Sequence, residues 1–168
     1  MIPGDLYTDK KDGPAVERAG IVDTEALVSL RFAYLEEDKG TIDEKDAEII
    51  RKTLPDYFRK HLNEDLFVYV IREGNEIVSC AFLLVTEKPM SPAFITGKTG
   101  TVLNVFTKEA FRRRGYARAV METLLSEAEA MDLSVAELQA TEDGYVLYRS
   151  VGFEDDVSKY HRMKRQFR

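Results

Sequence analysis

The 168-residue chain has one cysteine, Cys80, and two histidines, His61 and His161. A single cysteine excludes an intrachain disulfide, and neither histidine has a metal-ligand partner at a useful spacing. Both are read as surface or satisfied residues, and no metal is expected. No stretch approaches the ~18–20 consecutive apolar residues of a membrane-spanning helix. The start, Met1-Ile2-Pro3-Gly4-Asp5, lacks a basic segment followed by an apolar one. No signal peptide is expected there, and the cytoplasm is the simplest compartment. Basic residues are outnumbered, 24 Lys and Arg against 30 Asp and Glu, for a net charge of −6. A general nucleic-acid binder would carry a basic footprint, so that class is set aside. The negative field agrees better with a cationic partner such as an amine. Repeats and low-complexity segments are absent as well.

What remains is a globular composition, 44% hydrophobic and 32% charged, in a length suited to one domain. Residues 1–14 are polar, with two Gly and two Pro, and read as a flexible arm before a single domain of residues 15–168. Residues 15–20 form a short strand candidate. Asp23 or Thr24 starts a helix whose buried face is Ala26, Leu27, Leu30, Ala33 and Tyr34, with Gly40 as its stop. A second helix begins at Thr41 or Asp43 and buries Ala47, Ile50, Leu54, Tyr57, Phe58 and Leu62. Pro55 predicts a kink in it or a split into two helices. Two β-rich runs, 66–72 and 76–86, flank Glu73-Gly74-Asn75 and predict a hairpin. Cys80 lies within the second run as a small buried side chain rather than a nucleophile. Residues 87–98, with two Pro and a Gly, are a loop. Residues 135–140 predict a strand. Thr141-Glu142-Asp143 caps a short helix that Gly152 ends. Residues 157–167 predict a closing strand or hairpin. Strands alternate with helices around a hairpin, which gives a mixed sheet in a three-layer α/β arrangement.

The chain is organised around residues 99–131. Val102, Leu103, Val105 and Phe106 make an apolar, β-prone run. Ala117, Val120, Met121, Leu124, Leu125 and Ala128 mark one face of a helix. Between them lies Arg112-Arg113-Arg114-Gly115-Tyr116-Ala117. A helix start leaves amide N–H groups unpartnered and carries the positive end of the peptide dipole, so it binds phosphate when the backbone is approachable. Gly115 leaves that approach open, and the arginines add fork-shaped donors. The reading is a diphosphate site built mostly from main-chain N–H groups.

Arg112-x-x-Gly115-x-Ala117, set between an apolar strand and an amphipathic helix, resembles the acyl-CoA pyrophosphate loop of the GCN5-related N-acetyltransferases (GNAT). Downstream, Leu147-Tyr148-Arg149-Ser150-Val151-Gly152-Phe153 is similar to the LY-x-x-x-GF ending of the same family. The resemblance covers residues 99–153 in detail. It implies a three-layer α/β/α fold with a mixed, splayed sheet of about seven strands, open between the strand near residue 100 and the strand near residue 135. It also implies acetyl-CoA as co-substrate. The cofactor residues carried over are Val105, Phe106 and Thr107 on the strand, Arg112, Arg113, Arg114, Gly115, Tyr116 and Ala117 in the loop, and Tyr148. The Val105 amide would lie near the acyl carbonyl, and Tyr148 would be the general acid for the leaving thiolate.

Many members of the family carry a glutamate four residues before the Val105 position; here that residue is Thr101. Base function could pass to water, to Glu142 or to Glu36-Glu37, and the residues do not decide among them. Thr141 stands where members often carry an Asn. Asn104 is a candidate to order a water. The expected activity is acetyl transfer from acetyl-CoA to a primary amine of a small molecule, or of a protein, by direct attack in a ternary complex. The competing reading is a non-catalytic acyl-CoA sensor. A homodimer through an exposed strand edge is compatible with the sequence; no nucleic-acid or membrane partner is expected.

Overall fold

The computed structural model describes residues 13–167. The predicted arm therefore lies, up to residue 12, outside the described residues. The chain forms two compact units, one ending at Leu138 and the other beginning at Gln139.

In the first unit the elements run β1 (Glu17–Arg18), α1 (Thr24–Lys39), α2 (Glu44–His61), β2 (Leu66–Glu73), β3 (Glu76–Glu87), β4 (Lys98–Thr107), α3 (Tyr116–Ala130) and β5 (Val135–Glu137). Short 3-10 turns precede α1 and follow β4. The five strands form one sheet in the order β1-β2-β3-β4-β5. Neighbours are antiparallel except β4 and β5, which are parallel. The sheet is mixed, as the sequence implies, but has five strands among the described residues rather than about seven.

The two helix signals before the hairpin fold as expected at their ends. Gly40 closes α1 at φ 78°, its N–H bonded to the Glu36 carbonyl (2.9 Å). Asp43 caps α2, its carboxylate accepting from the Lys45 N–H (3.0 Å). Pro55 sits inside α2, which continues to His61 as one helix; the predicted split does not occur. Packing on the sheet holds the turn in place despite the missing N–H. Leu27, Leu30, Phe58 and Leu62 bury against Leu66, Val68, Val70, Cys80 and Phe82 on one sheet face. Ala26 and Tyr57 fall outside that buried face. Tyr57 instead stacks on His61 at 4.4 Å, and the His61 ring pairs with Asp65 at 2.7 Å.

The hairpin turns through Gly74-Asn75, with Glu73 opposite Glu76. Gly74 alone takes positive φ, 60°. β3 is buried from Ile77 to Leu83, as a central strand must be. α3 packs on the other sheet face through Val120, Met121 and Leu124. Gly100 is needed in β4: a Cβ there would lie 2.7 Å from both Leu83 and Leu133 side chains.

The second unit holds α4 (Glu142–Ser150), capped by Thr141, whose Oγ1 accepts from the Gly144 N–H (3.2 Å). Gly152 at φ 99° follows the helix. Residues 157–167 form no strand, which corrects the expected closing strand or hairpin. Val157, Tyr160, Met163 and Phe167 are exposed. Apolar residues alone do not make a strand; it forms only where a neighbouring backbone completes the ladder, and none pairs with this segment.

Candidate active site

Strand β4 sets up the site, because its two edges are treated differently. One edge pairs with β3 along almost its whole length. The other pairs with β5 only at Thr99, Gly100 and Thr101. Val102 to Thr107 therefore have no strand partner on that side among the described residues. The β4–β5 pairing ends at Thr101 and Glu137, the last residue of β5.

A bulge shapes the open half. Phe82 faces Leu103 and Cys80 faces Phe106, so β4 carries an extra residue. Asn104 adopts φ 51° there and is buried, in keeping with the tolerance of Asn for left-handed backbone. Its side chain is engaged at both the oxygen and the nitrogen. Arg31 of α1 donates to Asn104 Oδ1 (3.1 Å), and Asn104 Nδ2 donates to Cys80 Sγ (3.6 Å). The Cys80 thiol in turn donates to the Asn104 carbonyl (3.5 Å). Burial pushes the Cys80 thiol up to about 12, so it stays protonated at neutral pH and packs as a small apolar side chain. Asn104 is a bulge residue whose amide is tied to α1 and β3.

Past the bulge the backbone direction can be followed. The Lys108 N–H donates to the Val78 carbonyl (2.9 Å), so by alternation Thr107 turns its N–H and C=O away from β3. Arg112 Nε donates to that Thr107 carbonyl (2.8 Å), and the Arg112 guanidinium pairs with Glu37 of α1 and lies 5.8 Å from the Phe106 ring centroid. Arg112 thus clamps the loop to β4, and Glu37 is held by it. The Thr107 hydroxyl is inward, 2.8 Å from Ser79 Oγ.

The loop ends in a helix start open to solvent. Arg113 and Gly115 both have left-handed backbone, φ 60° and 77°. The first bond of α3 runs from the Ala119 N–H to the Gly115 carbonyl (3.0 Å). The N–H groups of residues 113–118 have no backbone acceptor among the described residues. No side chain caps this end, and its first turn contains no acidic residue. A Cβ built on Gly115 meets nothing within 4 Å. Consecutive N–H groups in such a turn form a concavity for an anion. Arg113 has no partner among the described residues, and Arg114 rests on Phe111, 5.1 Å from its ring. The Tyr116 hydroxyl is taken by Glu73. Ala117 is half-buried. Val105, Phe106, Thr107 and Arg112 to Ala117 therefore sit together at one end of β4.

Tyr148 belongs to the second unit, on α4. Its ring packs edge-on with Phe153 (6.1 Å). It also covers Gly144, one turn earlier, where a Cβ would lie 2.8 Å from Tyr148 Cε2. Gly144→Ala removes a glycine from the first turn of α4, a gain of at most roughly 1 kcal/mol, and displaces that ring. The expected outcome is an unchanged or higher melting temperature with several-fold lower turnover, measured on the same preparation.

Sequence reasoning left three features unread: the Arg31–Asn104 contact, the Arg112 clamp, and Glu137, expected only as a strand residue but placed opposite Thr101 at the end of β5. An asparagine inside an apolar strand run is a bulge signal that was available. Among the described residues no group of three or more His, Cys, Asp or Glu could hold a metal ion, and no helix is long and apolar enough to cross a membrane.

Residues 64–155 match the family model of the acetyltransferase (GNAT) domain. A predicted acetyltransferase of Clostridium acetobutylicum, crystallised with acetyl-CoA, is similar at 27% identity and TM-score 0.77, over 89% of this chain and 95% of that one. A GCN5-related N-acetyltransferase of Ralstonia eutropha is 25% identical at TM-score 0.75, over 90% and 99%. Glucosamine-6-phosphate N-acetyltransferase of Arabidopsis thaliana shares the fold at 20% identity and TM-score 0.64, over 92% and 98%. No curated protein sequence matches the chain.

Proposed function

This chain belongs to the GNAT acetyltransferase family, and from that premise we propose that it transfers the acetyl group of acetyl-CoA to a primary amine of a small molecule, by direct attack within a ternary complex. The observation that carries the reading is the unsatisfied start of α3 at the end of a half-paired β4. The diphosphate binds the N–H groups around Gly115, with Arg113 and Arg114 adding charge-assisted bonds. The pantetheine arm runs along the open edge of β4 and bonds to main-chain groups of Val105 and Thr107. The Val105 N–H then lies by the thioester carbonyl and stabilises the oxyanion that forms there. Tyr148 protonates the leaving thiolate, since a phenol can donate to a thiolate as it departs. The net charge of −6 favours a cationic acceptor.

One observation favours the sensor reading: Thr101, where many relatives carry a glutamate, cannot take a proton at neutral pH. Thiol release from acetyl-CoA in the presence of an amine panel separates the two. Release with at least one amine supports transfer. Tight acetyl-CoA binding with no release for any amine replaces transfer with sensing.

A further inference from the structure

Acetyl transfer leaves one proton without a destination. An alkyl ammonium must lose it before the nitrogen can attack, and Thr101 offers no base. The row of the sheet at this point reads Leu66, Leu84, Thr101 and Glu137, across β2, β3, β4 and β5. Residues paired across a sheet share a face. Leu66 lies in the core beneath α1 and α2, and Leu84 packs against that core. Thr101 and Glu137 therefore point to the same side as these helices.

Glu137 is the last residue of β5, so it stands where β4 and β5 part. It is exposed, and its carboxylate has no hydrogen bond or ion pair among the described residues. The nearby positions on this face of β3 and β4 are Thr86, Leu84, Thr99 and Thr101, none of them charged. Glu37 is unlike it in this respect, since Arg112 holds it. We propose that Glu137 is the base that takes the proton of the acceptor ammonium, supplying from β5 the carboxylate that Thr101 does not supply from β4. This rests on the acetyl-transfer reading.

Val105 lies four residues past Thr101, ~13 Å along a strand. An acceptor nitrogen waiting beside the acetyl group sits between these two positions, and the Glu137 side chain reaches it through one water. The protons balance as follows. The ammonium gives one proton to the Glu137 carboxylate, which releases it to solvent. The freed lone pair forms the N–C bond to the thioester carbonyl. The nitrogen then carries one proton too many; as the C–S bond breaks it passes that proton to solvent, the thiolate takes one from Tyr148, and Tyr148 takes one back from solvent, so that one proton is released for each acetyl group transferred.

The test uses the full chain and the best amine from the panel. Glu137→Gln should lower kcat ~100-fold at pH 7 with the KM for acetyl-CoA within ~3-fold. The deficit should shrink as the pH rises through the pKa of the amine, because a free amine needs no base. Thr101→Glu added to Glu137→Gln should restore much of the lost rate, and Glu137→Asp should keep part of it. A Glu137→Gln rate equal to wild type at every pH overturns the proposal. So does a loss that is uniform with pH and is not rescued by Thr101→Glu, which marks a structural role. Wild-type protein that binds acetyl-CoA but acetylates no amine overturns the transfer reading itself, and this proposal with it.

Discussion

Replacing Gly115 with aspartate should abolish coenzyme A binding while leaving the protein folded. The two effects separate because they act on different sides of the same residue. A Cβ at Gly115 projects into open space, so no packed neighbour has to move. Gly115 has left-handed backbone, φ 77°, which costs an ordinary residue roughly 1–2 kcal/mol but is better tolerated by aspartate. The new carboxylate would also sit at a helix start that now has no capping side chain and no acid in its first turn. A negative group there is favourable by about 0.3–1 kcal/mol. The melting temperature should therefore change little. The same carboxylate occupies the volume proposed for the diphosphate and repels it. Loss of two charge-assisted hydrogen bonds, at about 1.5–3 kcal/mol each, weakens binding by two orders of magnitude or more. Calorimetric titration of coenzyme A into wild type and variant reads this directly. Gly115→Ala, which adds strain without charge, should be intermediate. Affinity within threefold of wild type in the aspartate variant would remove the phosphate site from this loop.

How much of this could be read from the residues alone depended on the range of the interaction. The Gly115 turn and α3 were legible because a helix start is local: a glycine, an apolar face at steps of three and four, and arginines that only an anion would compensate. The β2–β3 hairpin was legible for the same reason, since Gly74 supplies the positive φ that the turn requires. Pro55 does not divide α2, because its local cost is overridden by the packing of Phe58 and Leu62 on the sheet. The closing strand was overestimated, since the apolar residues of 157–167 had no ladder to join.

The features that decide the chemistry are non-local. Nothing within residues 102–107 says which edge of that strand is unpaired; the expectation of a split came from the family resemblance, and the short β4–β5 register supports it. The arrangement of Thr101 beside Glu137 depends on register between strands more than 30 residues apart, and one residue of slip would turn Glu137 to the other face. The Arg31–Asn104 contact spans 73 positions. It joins α1 to the bulge at the point where β4 loses its second neighbour, so the helix pair and the open edge are mechanically linked.

Tyr148→Phe should lower kcat ~100-fold with little change in coenzyme A affinity, in the range usual for loss of a general acid. The substitution keeps the ring and its edge contact with Phe153, so packing in the second unit is preserved and only the hydroxyl is lost. A group that acts only as the thiolate leaves contributes to the transition state and not to ground-state binding, so kcat and kcat/KM should fall together. The Gly144→Ala variant supplies the control. If Gly144 matters because it lets the Tyr148 ring lie over α4, then adding Gly144→Ala to Tyr148→Phe should cost almost nothing further, whereas Gly144→Ala alone should slow the enzyme. Two independent losses would instead multiply, and the departure from additivity measures the coupling. A better leaving group sharpens the distinction. An acyl donor whose thiol has a lower pKa needs less help from an acid, so the gap between wild type and Tyr148→Phe should narrow with it. An unchanged rate for Tyr148→Phe with acetyl-CoA would make Tyr148 a packing residue of α4 and leave the thiolate to be protonated by water.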